Sequence, residues 1–486
     1  MKRLRWFDFL TINLFWLGLN IRNTVVGSFL TPYLAELYTS PDWKNTALSV
    51  MRNAGLVIAM LVQPAAGLIS DRSTSRFGRR RPFIIIGVLL DLLFLAAIGI
   101  SWSYWSLLVA VLLIQFSGNI SHGPLQGIIP DLVPEDQRGR ASAIKSIFEL
   151  LPIILVGLAI APLIANKQVG WAIVATGAGL TLTALLTLSW VKEKPLTEKP
   201  DVPFWPSIKR VFWMLAGILG GAGAGLVGGG LVGGVALGIA WLIAGLDAAI
   251  PIAIGVGGLI AMILAVVVGV WTGATLTIGK DANHHSPFIW WVVNRLLFLA
   301  AITSLQTFAL YFFEYAFNIT SEQSVDLLSK LLVSVGIFLL LSALPAGWLA
   351  DRIGHKMLLG LSGIVAAIGG FLLLGTIWVP NISLIYVAGG ILGLAAGSFM
   401  TINWSLGTSL VPPEEAGRFL GISNLAGAGA GMIGYGIGAP VADYLNGITP
   451  GLGYIATFAA YGVLFALSTL SLKFIQEQHK ISPKVG

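Results

Sequence analysis

Gln115, Asn119, His122 and Gln126 are the residues whose types and spacing point most directly to chemistry. They recur at helical intervals, so on a helix they form one polar stripe along an otherwise apolar segment. Amide and imidazole groups both donate and accept hydrogen bonds, which suits an array of hydroxyls such as a sugar presents. A polar stripe in hydrocarbon must face protein or a water-filled cavity. It can therefore line a cavity or bond neighbouring helices together, and both readings stand at this point.

Charges inside apolar segments are the second set. Asp91 and Glu149 lie roughly 12–14 Å along their helices from one membrane face, and Arg22 is also deep. An uncompensated charge at such depth costs about 2.5 kcal/mol or more. Either Arg22 pairs with a carboxylate, or a carboxylate carries a moving proton, with Glu149 the first candidate and Asp91 the second. The second half of the chain offers Gln306 beside Asn294, Arg295, Thr303, Thr307 and Glu314. A later segment carries Asn403 and Trp404, whose indole could stack on a sugar ring. Glu314 is expected near a membrane surface, hydrated.

The elements that hold these residues follow from composition. Of 486 residues, 56% are hydrophobic and 10% charged, against about a quarter charged in soluble domains. Apolar runs fall at roughly 10–37, 46–69, 83–101, 104–129, 141–165 and 169–191. After a polar linker, 192–210, come two runs at about 211–245 and 249–278 and six more near 288–317, 325–349, 357–378, 382–410, 417–445 and 452–474. The expectation is an all-α integral membrane protein of fourteen spans, ordered six, two and six. The net charge of +7 sits in short loops, where it sets topology rather than recognising nucleic acid. With no cysteine, disulfides, thiol catalysis and thiolate metal sites are excluded. No catalytic constellation and no cofactor motif is visible, and His284-His285 alone makes no metal site.

Between the second and third runs lies a dense cationic turn, Asp71, Arg72, Arg76, Arg79, Arg80 and Arg81. By the positive-inside rule it is cytoplasmic, which places both termini there too. A shorter version, Gly347-Trp-Leu-Ala-Asp351-Arg352, follows in the second half, and Leu132-Val133-Pro134 with Gly139-Arg140 matches Leu410-Val411-Pro412 with Gly417-Arg418 at identical spacing. The chain is thus built twice. Parallel repeats of this kind are a transporter architecture, with the site near the midplane between them. The carboxylate of each turn can sit against the amino end of a neighbouring helix while the arginines hold acidic groups of other loops, so Asp71, Arg72, Arg76, Arg79, Arg80, Arg140, Asp351, Arg352 and Arg418 form a candidate cytoplasmic gate. In the inserted pair, Gly221/Gly225, Gly225/Gly229 and Gly230/Gly234 would let two helices approach closely.

Gly67-x-x-x-Asp71-Arg72-x-x-x-Arg76-x-Gly78-Arg79-Arg80 resembles the loop between helices 2 and 3 of the major facilitator superfamily. Val62-Gln63-Pro64 and the run Thr74 to Ile84, with Leu30-Thr31-Pro32-Tyr33, Gly123-Pro124 and Asp131, resemble more closely the plant sucrose–proton symporters and their glycoside–cation relatives. The likeness is dense over about 20–140 and thinner in the second half, where Gly421-x-x-Asn424-Leu425-Ala426 is the best patch. It implies a membrane carrier for a sugar or glycoside. In that family the positions matching Gln115 and Gln126 are an aspartate taken to carry the proton and an arginine; both are glutamine here, so proton coupling is not inherited by resemblance.

The resulting expectation is a major facilitator fold with a six-helix bundle over 1–191, an inserted Gly-rich hairpin over 192–287 and a second bundle over 288–486. The function expected is alternating-access transport of a sucrose-like sugar or glycoside in a bacterial inner membrane. Its partners would be that substrate, the lipid bilayer and, if coupled, protons. A sensor or assembly factor on the same fold, and a carrier of an amphipathic metabolite or drug, are the alternatives.

Overall fold

The computed structural model describes residues 3–191, 193, 204–279, 285–410 and 416–475. Within them there is no strand. A bilayer core offers no water to backbone amides and carbonyls, so segments this apolar satisfy those groups internally as helices. The first rod is α1 (Trp6–Thr24), a π-helical stretch (Val25–Leu30) and α2 (Thr31–Tyr38) in one continuous run. Then come α3 (Lys44–Asp71), α4 (Arg81–Gly99), α5 (Tyr104–Gln126) with the short α6 (Ile128–Leu132), α7 (Arg138–Ala159) with α8 (Ala161–Ala165), and α9 (Val169–Trp190). The insertion is α10 (Phe204–Ala244) and α11 (Leu246–Ile278). The second half is α12 (Ser286–Phe317), α13 (Ser321–Ile353), α14 (His355–Gly375), α15 (Ile382–Ser409), α16 (Ala416–Ile448) and α17 (Leu452–Ser471). Among the described residues, 12 helices are long and apolar enough to cross a membrane; the first rod and α16 are not among them.

Local sequence sets the ends. Ser103 caps α5 and Thr320 caps α13, each in a reciprocal capping box, and proline occupies the first turn of α4 and α12. The cationic turn closes through Gly78 at φ +107° and its counterpart in the second half through Gly354 at φ +93°, a conformation that glycine adopts at least cost.

Helix pairing repeats in the two halves. In the first, α1 packs on α7 and α9, α5 on α3 and α4, and α4 on α9. In the second, α12 packs on α16 and α17, α15 on α13 and α14, and α14 on α17. Each pairing has its equivalent, as two copies of one sequence pattern require. The halves meet chiefly through α3 on α16 and α7 on α13.

The inserted helices pack mainly on each other. Gly217, Gly221, Gly225, Gly229 and Gly233 form one row; a Cβ on Gly225 would come within 2.5 Å of the Ala261 carbonyl oxygen and one on Gly221 within 2.4 Å of that of Ala265. The expected Gly230/Gly234 pair is corrected: a Cβ on either would meet nothing within 4 Å. A four-residue row stays on one helix face, and residues one position along turn away from the partner. The polar linker is also shorter than expected, because α10 already begins at Phe204. A cavity of about 670 Å³ separates α10 and α11 from α16, lined by Leu226, Gly229, Ile254, Ile433 and Val441, with Asn53 of α3 at its edge. Its lining is apolar apart from Asn53, which in turn bonds Ser49 of the same helix.

Candidate functional site

The two halves are joined by hydrogen bonds and ion pairs clustered toward the Lys44 end of α3, opposite its Asp71 end. Lys44 Nζ lies 2.7 Å from Glu36 Oε1 and 2.7 Å from Glu314 Oε2. Ser321 donates to Glu36 at 2.7 Å, and Tyr33 donates to Glu322. Asp443 of α16 accepts from the Asn45 side chain and the Thr46 amide, each at 2.7 Å, and Ser49 donates to the Tyr435 carbonyl at 3.0 Å. Glu314 is not the hydrated surface group that its position suggested. Its side chain is 10% exposed and lies in an ion cluster spanning both halves, beside a cavity of about 310 Å³. Opposite charges brought from α2, α3 and α12 offset the desolvation that any one would suffer alone. Linear sequence hides this, because Glu314 reaches Glu36 and Lys44 only through the packing of the two repeats.

Deeper in, Gln306 Nε2 donates to Ser28 Oγ at 2.9 Å across the same interface. Ser28 belongs to the π-helical stretch, whose Gly27 carbonyl accepts from the Arg52 guanidinium of α3. Widened turns of this kind expose backbone carbonyls to other partners. Periodicity of apolar residues does not reveal such a turn.

The stripe on α5 divides. The Gln115 side chain packs against Gly55 of α3, 3.0 Å from where a Cβ would stand. Asn119 is buried and donates to the Gln115 carbonyl of its own helix at 2.7 Å. His122 meets Trp16 of α1 edge to face at 5.2 Å, and Lys145 Nζ of α7 sits 4.2 Å from the same indole. Gln126 is exposed. The stripe therefore contacts α1 and α3 in its upper and middle parts rather than presenting four free groups.

Arg22 and Asp91 form a buried pair at 3.1 Å, with side chains 3% and 0% exposed, and Ser117 of α5 donates to the same carboxylate. Gly118 makes room for it: a Cβ there would fall 1.6 Å from Arg22 Nη2. Glu149 is partly exposed and pairs with Lys145 one turn earlier at 3.2 Å. Asn403 is buried, donating to Asn294 Oδ1 at 3.0 Å while its carbonyl accepts from Trp291 Nε1 at 2.8 Å. Arg295 lies between indoles, 5.3 Å from the Trp404 ring centre and 5.9 Å from that of Trp291. Trp404 is 38% exposed.

At the cationic turn, Arg79 and Arg80 each bond both Asp71 and Asp131, at 2.5–3.1 Å. These bonds stay within the first half. Asp71 does not cap a neighbouring helix as expected; Glu193 does, accepting from the amides of Arg80 and Arg81 at the start of α4. Arg76 and Arg140 are exposed, and Arg352 stacks on Trp348 at 3.9 Å. Arg72 ends α3 and is half-buried. The side chains of Asp351, Arg418 and the patch Gly421 to Ala426 lie outside the described residues, as do residues 411–415 and His284 altogether.

Two helical repeats meeting around buried polar groups, with an inserted hairpin, define an integral membrane protein of the carrier fold class. The chain belongs to the Major Facilitator Superfamily, whose pattern matches residues 14–316 and again 296–485. A sucrose transport protein of Oryza sativa subsp. japonica is 35% identical over 139 residues, 24% of this chain and 25% of that protein. The general alpha-glucoside permease of Schizosaccharomyces pombe is 39% identical over 90 residues, 18% of this chain and 15% of the permease. The matched regions thus span about a quarter or less of these relatives. Among solved structures, a D-xylose-proton symporter superimposes with TM-score 0.63 at 16% identity, over 97% of this chain and 98% of that one. A peptide transporter POT bound to sulfate gives 0.63 at 17% identity, over 97% and 96%. These likenesses concern the fold.

Proposed function

We propose that this protein is a carrier, not an enzyme, moving a sugar or glycoside across a membrane by alternating access between its two halves. The observation that carries the reading is the polar seam between the repeats. Gln306, Ser28, Lys44, Glu314 and Asp443 hold one end closed with bonds that can break as a set without unfolding either half. The names of the sucrose and alpha-glucoside relatives support a sugar as cargo.

In this reading 1–191 and 288–486 are the rocking bundles and 192–287 an accessory hairpin, for fourteen spans in all. The cationic turn and both termini face the cytoplasm, in a bacterial inner membrane. Gln115, Asn119, His122, Gln126, Gln306, Asn403 and Trp404 border the substrate path. The groups Asp71, Arg72, Arg76, Arg79, Arg80, Arg140, Asp351, Arg352 and Arg418 shape the cytoplasmic gate. Arg79 and Arg80 act there by stiffening the first half, since both of their carboxylates lie within it.

Counterflow of labelled sugars in proteoliposomes tests the proposal; no exchange across a panel including sucrose and maltose discards it. Protons, if coupled, would be carried by Glu149 or, less accessibly, by Asp91 in its bond to Arg22. Glu149→Gln should then retain counterflow and lose accumulation driven by a pH gradient. Unchanged accumulation in both Glu149→Gln and Asp91→Asn removes these residues from coupling.

A further inference from the structure

We infer that the cavity between the hairpin and α16 is a lipid site that holds one hydrocarbon chain of a bilayer lipid; this does not depend on what the carrier moves. The starting observation is a pair of glycines that the hairpin does not use. Gly230 and Gly234 turn away from α11, a Cβ on either would meet nothing within 4 Å, and both line this cavity. The helices around it touch at two places and part between them. A Cβ on Gly429 would fall 2.9 Å from Ile218 Cδ1, and one on Gly258 would fall 3.0 Å from Val441 Cγ2. On α16 those contacts lie at 429 and 441, about 18 Å apart at 1.5 Å per residue. The result is a slot about as long as one leaflet of hydrocarbon, roughly 15 Å. Leucine at 230 and 234 would fill it; glycine keeps it open.

The chemistry of the lining names the occupant. Among the described residues that line the slot, only Asn53 has a polar side chain. Its Nδ2 lies 3.5 Å from Ser49 Oγ and its Oδ1 is buried without a partner. One amide cannot hold water there, because each water needs two to four polar partners, and apolar cavities take up apolar molecules instead. Left unfilled, the slot would forfeit the dispersion contacts of its whole lining. The supply stands at the mouth. Leu219 and Leu226 line the slot and are 68% and 67% exposed, on the least buried of the 12 spans. Apolar groups exposed on a membrane span face lipid tails, so the slot opens onto bilayer hydrocarbon.

The chain matters to the carrier through the other side of α16. There the Tyr435 carbonyl accepts from Ser49 at 3.0 Å, and a Cβ on Gly436 would come within 2.8 Å of Asn53 Nδ2. The same stretch walls the slot with Ile433 and Pro440. A proline inside a helix removes one backbone bond and lets the helix bend at that point. A hydrocarbon chain in the slot therefore backs α16 where it lies against α3, and supports the seam from the bilayer side.

The test places the full chain in vesicles of phosphatidylethanolamine and phosphatidylglycerol, part of which carries a photoactivated diazirine along one acyl chain. Labelled residues are mapped by mass spectrometry after illumination. Ile433 is 3% exposed and should be labelled, because only a chain inside the slot reaches it. With Gly230→Leu and Gly234→Leu together that label should fall by about tenfold, since the new side chains compete for the same space. Labelling of Leu89 and Leu93, exposed on α4, should stay the same. No label at Ile433 beside labelled Leu89 and Leu93 overturns the inference, and so does an Ile433 label that the double variant leaves unchanged. Should the double variant fail to fold, native mass spectrometry of the wild type decides. One lipid per chain retained after detergent washing supports the site; none, or a dimer of the chain in its place, overturns it. Sugar counterflow is a separate measurement, so failure here leaves the carrier reading where it stands.

Discussion

Lys44 of α3 and Glu314 of α12 stand 2.7 Å apart, and through this bond the first half of the protein holds the second. Glu36 completes the bridge on the other side of the ammonium. Both side chains of the Lys44–Glu314 pair are largely shielded from water, which keeps the attraction from being screened away. On the carrier reading proposed above, this bond acts as a latch that has to open before the halves can part at this end.

Glu314→Gln should weaken the latch by about 1.5 kcal/mol, the worth of a hydrogen bond to a charged group, shifting the conformational ratio roughly tenfold. Because the chain has no cysteine, Ser49→Cys is a unique reporter at the seam, where Ser49 now bonds the Tyr435 carbonyl. Thiol labelling of that site should accelerate in the Glu314→Gln background. An unaltered rate would mean that the ion cluster does not hold the seam.

Asp91→Asn should destabilise the first half by about 3–5 kcal/mol, since it leaves the Arg22 charge buried without its partner. Thermal unfolding in detergent reads this directly. Restoring neutrality with Arg22→Gln in the same chain should recover part of the loss, whereas a surface-type pair would show little effect in either variant.

Asp71→Asn and Asp131→Asn should each be tolerated better alone than together. Either carboxylate by itself still faces Arg79 and Arg80, but losing both strands the buried Arg80. The double variant should exceed the sum of the singles by roughly 0.5 kcal/mol or more in unfolding free energy. Simple additivity would show that the four groups do not act as one network.

In the inserted hairpin, Gly225→Leu should cost about 1–3 kcal/mol by overpacking against Ala261 and Ala265. Gly230→Leu, on the open side of the same helix, should stay within about 0.5 kcal/mol of the parent. Melting temperatures of the two variants compare the faces; equal losses would contradict the packing of α10 on α11.

Much of this architecture is legible in the sequence because a membrane permits few solutions. Twenty apolar residues in a row must be a helix, arginine-rich turns mark one side, and a motif written twice builds two similar halves. The resemblance carried by Asp71 to Ile84 rests on the same local text. Pairing could not be read that way. Glu36, Lys44 and Glu314 look like three surface charges until the halves close over them, and Glu193 lies far along the chain from the α4 terminus it caps. Gln115, Asn119, His122 and Gln126 share a helical face by spacing alone, yet which of them stays free depends on whether Gly55 and Trp16 pack against them. Sequence by itself determined the helices, their repeat and the clan they resemble, because those follow from period and composition. Only the tertiary structure decided how each charge is satisfied, Arg22 by Asp91, Lys145 by Glu149 and Arg295 by Asn403 and two indole faces. A charge finds its partner through space, not along the chain.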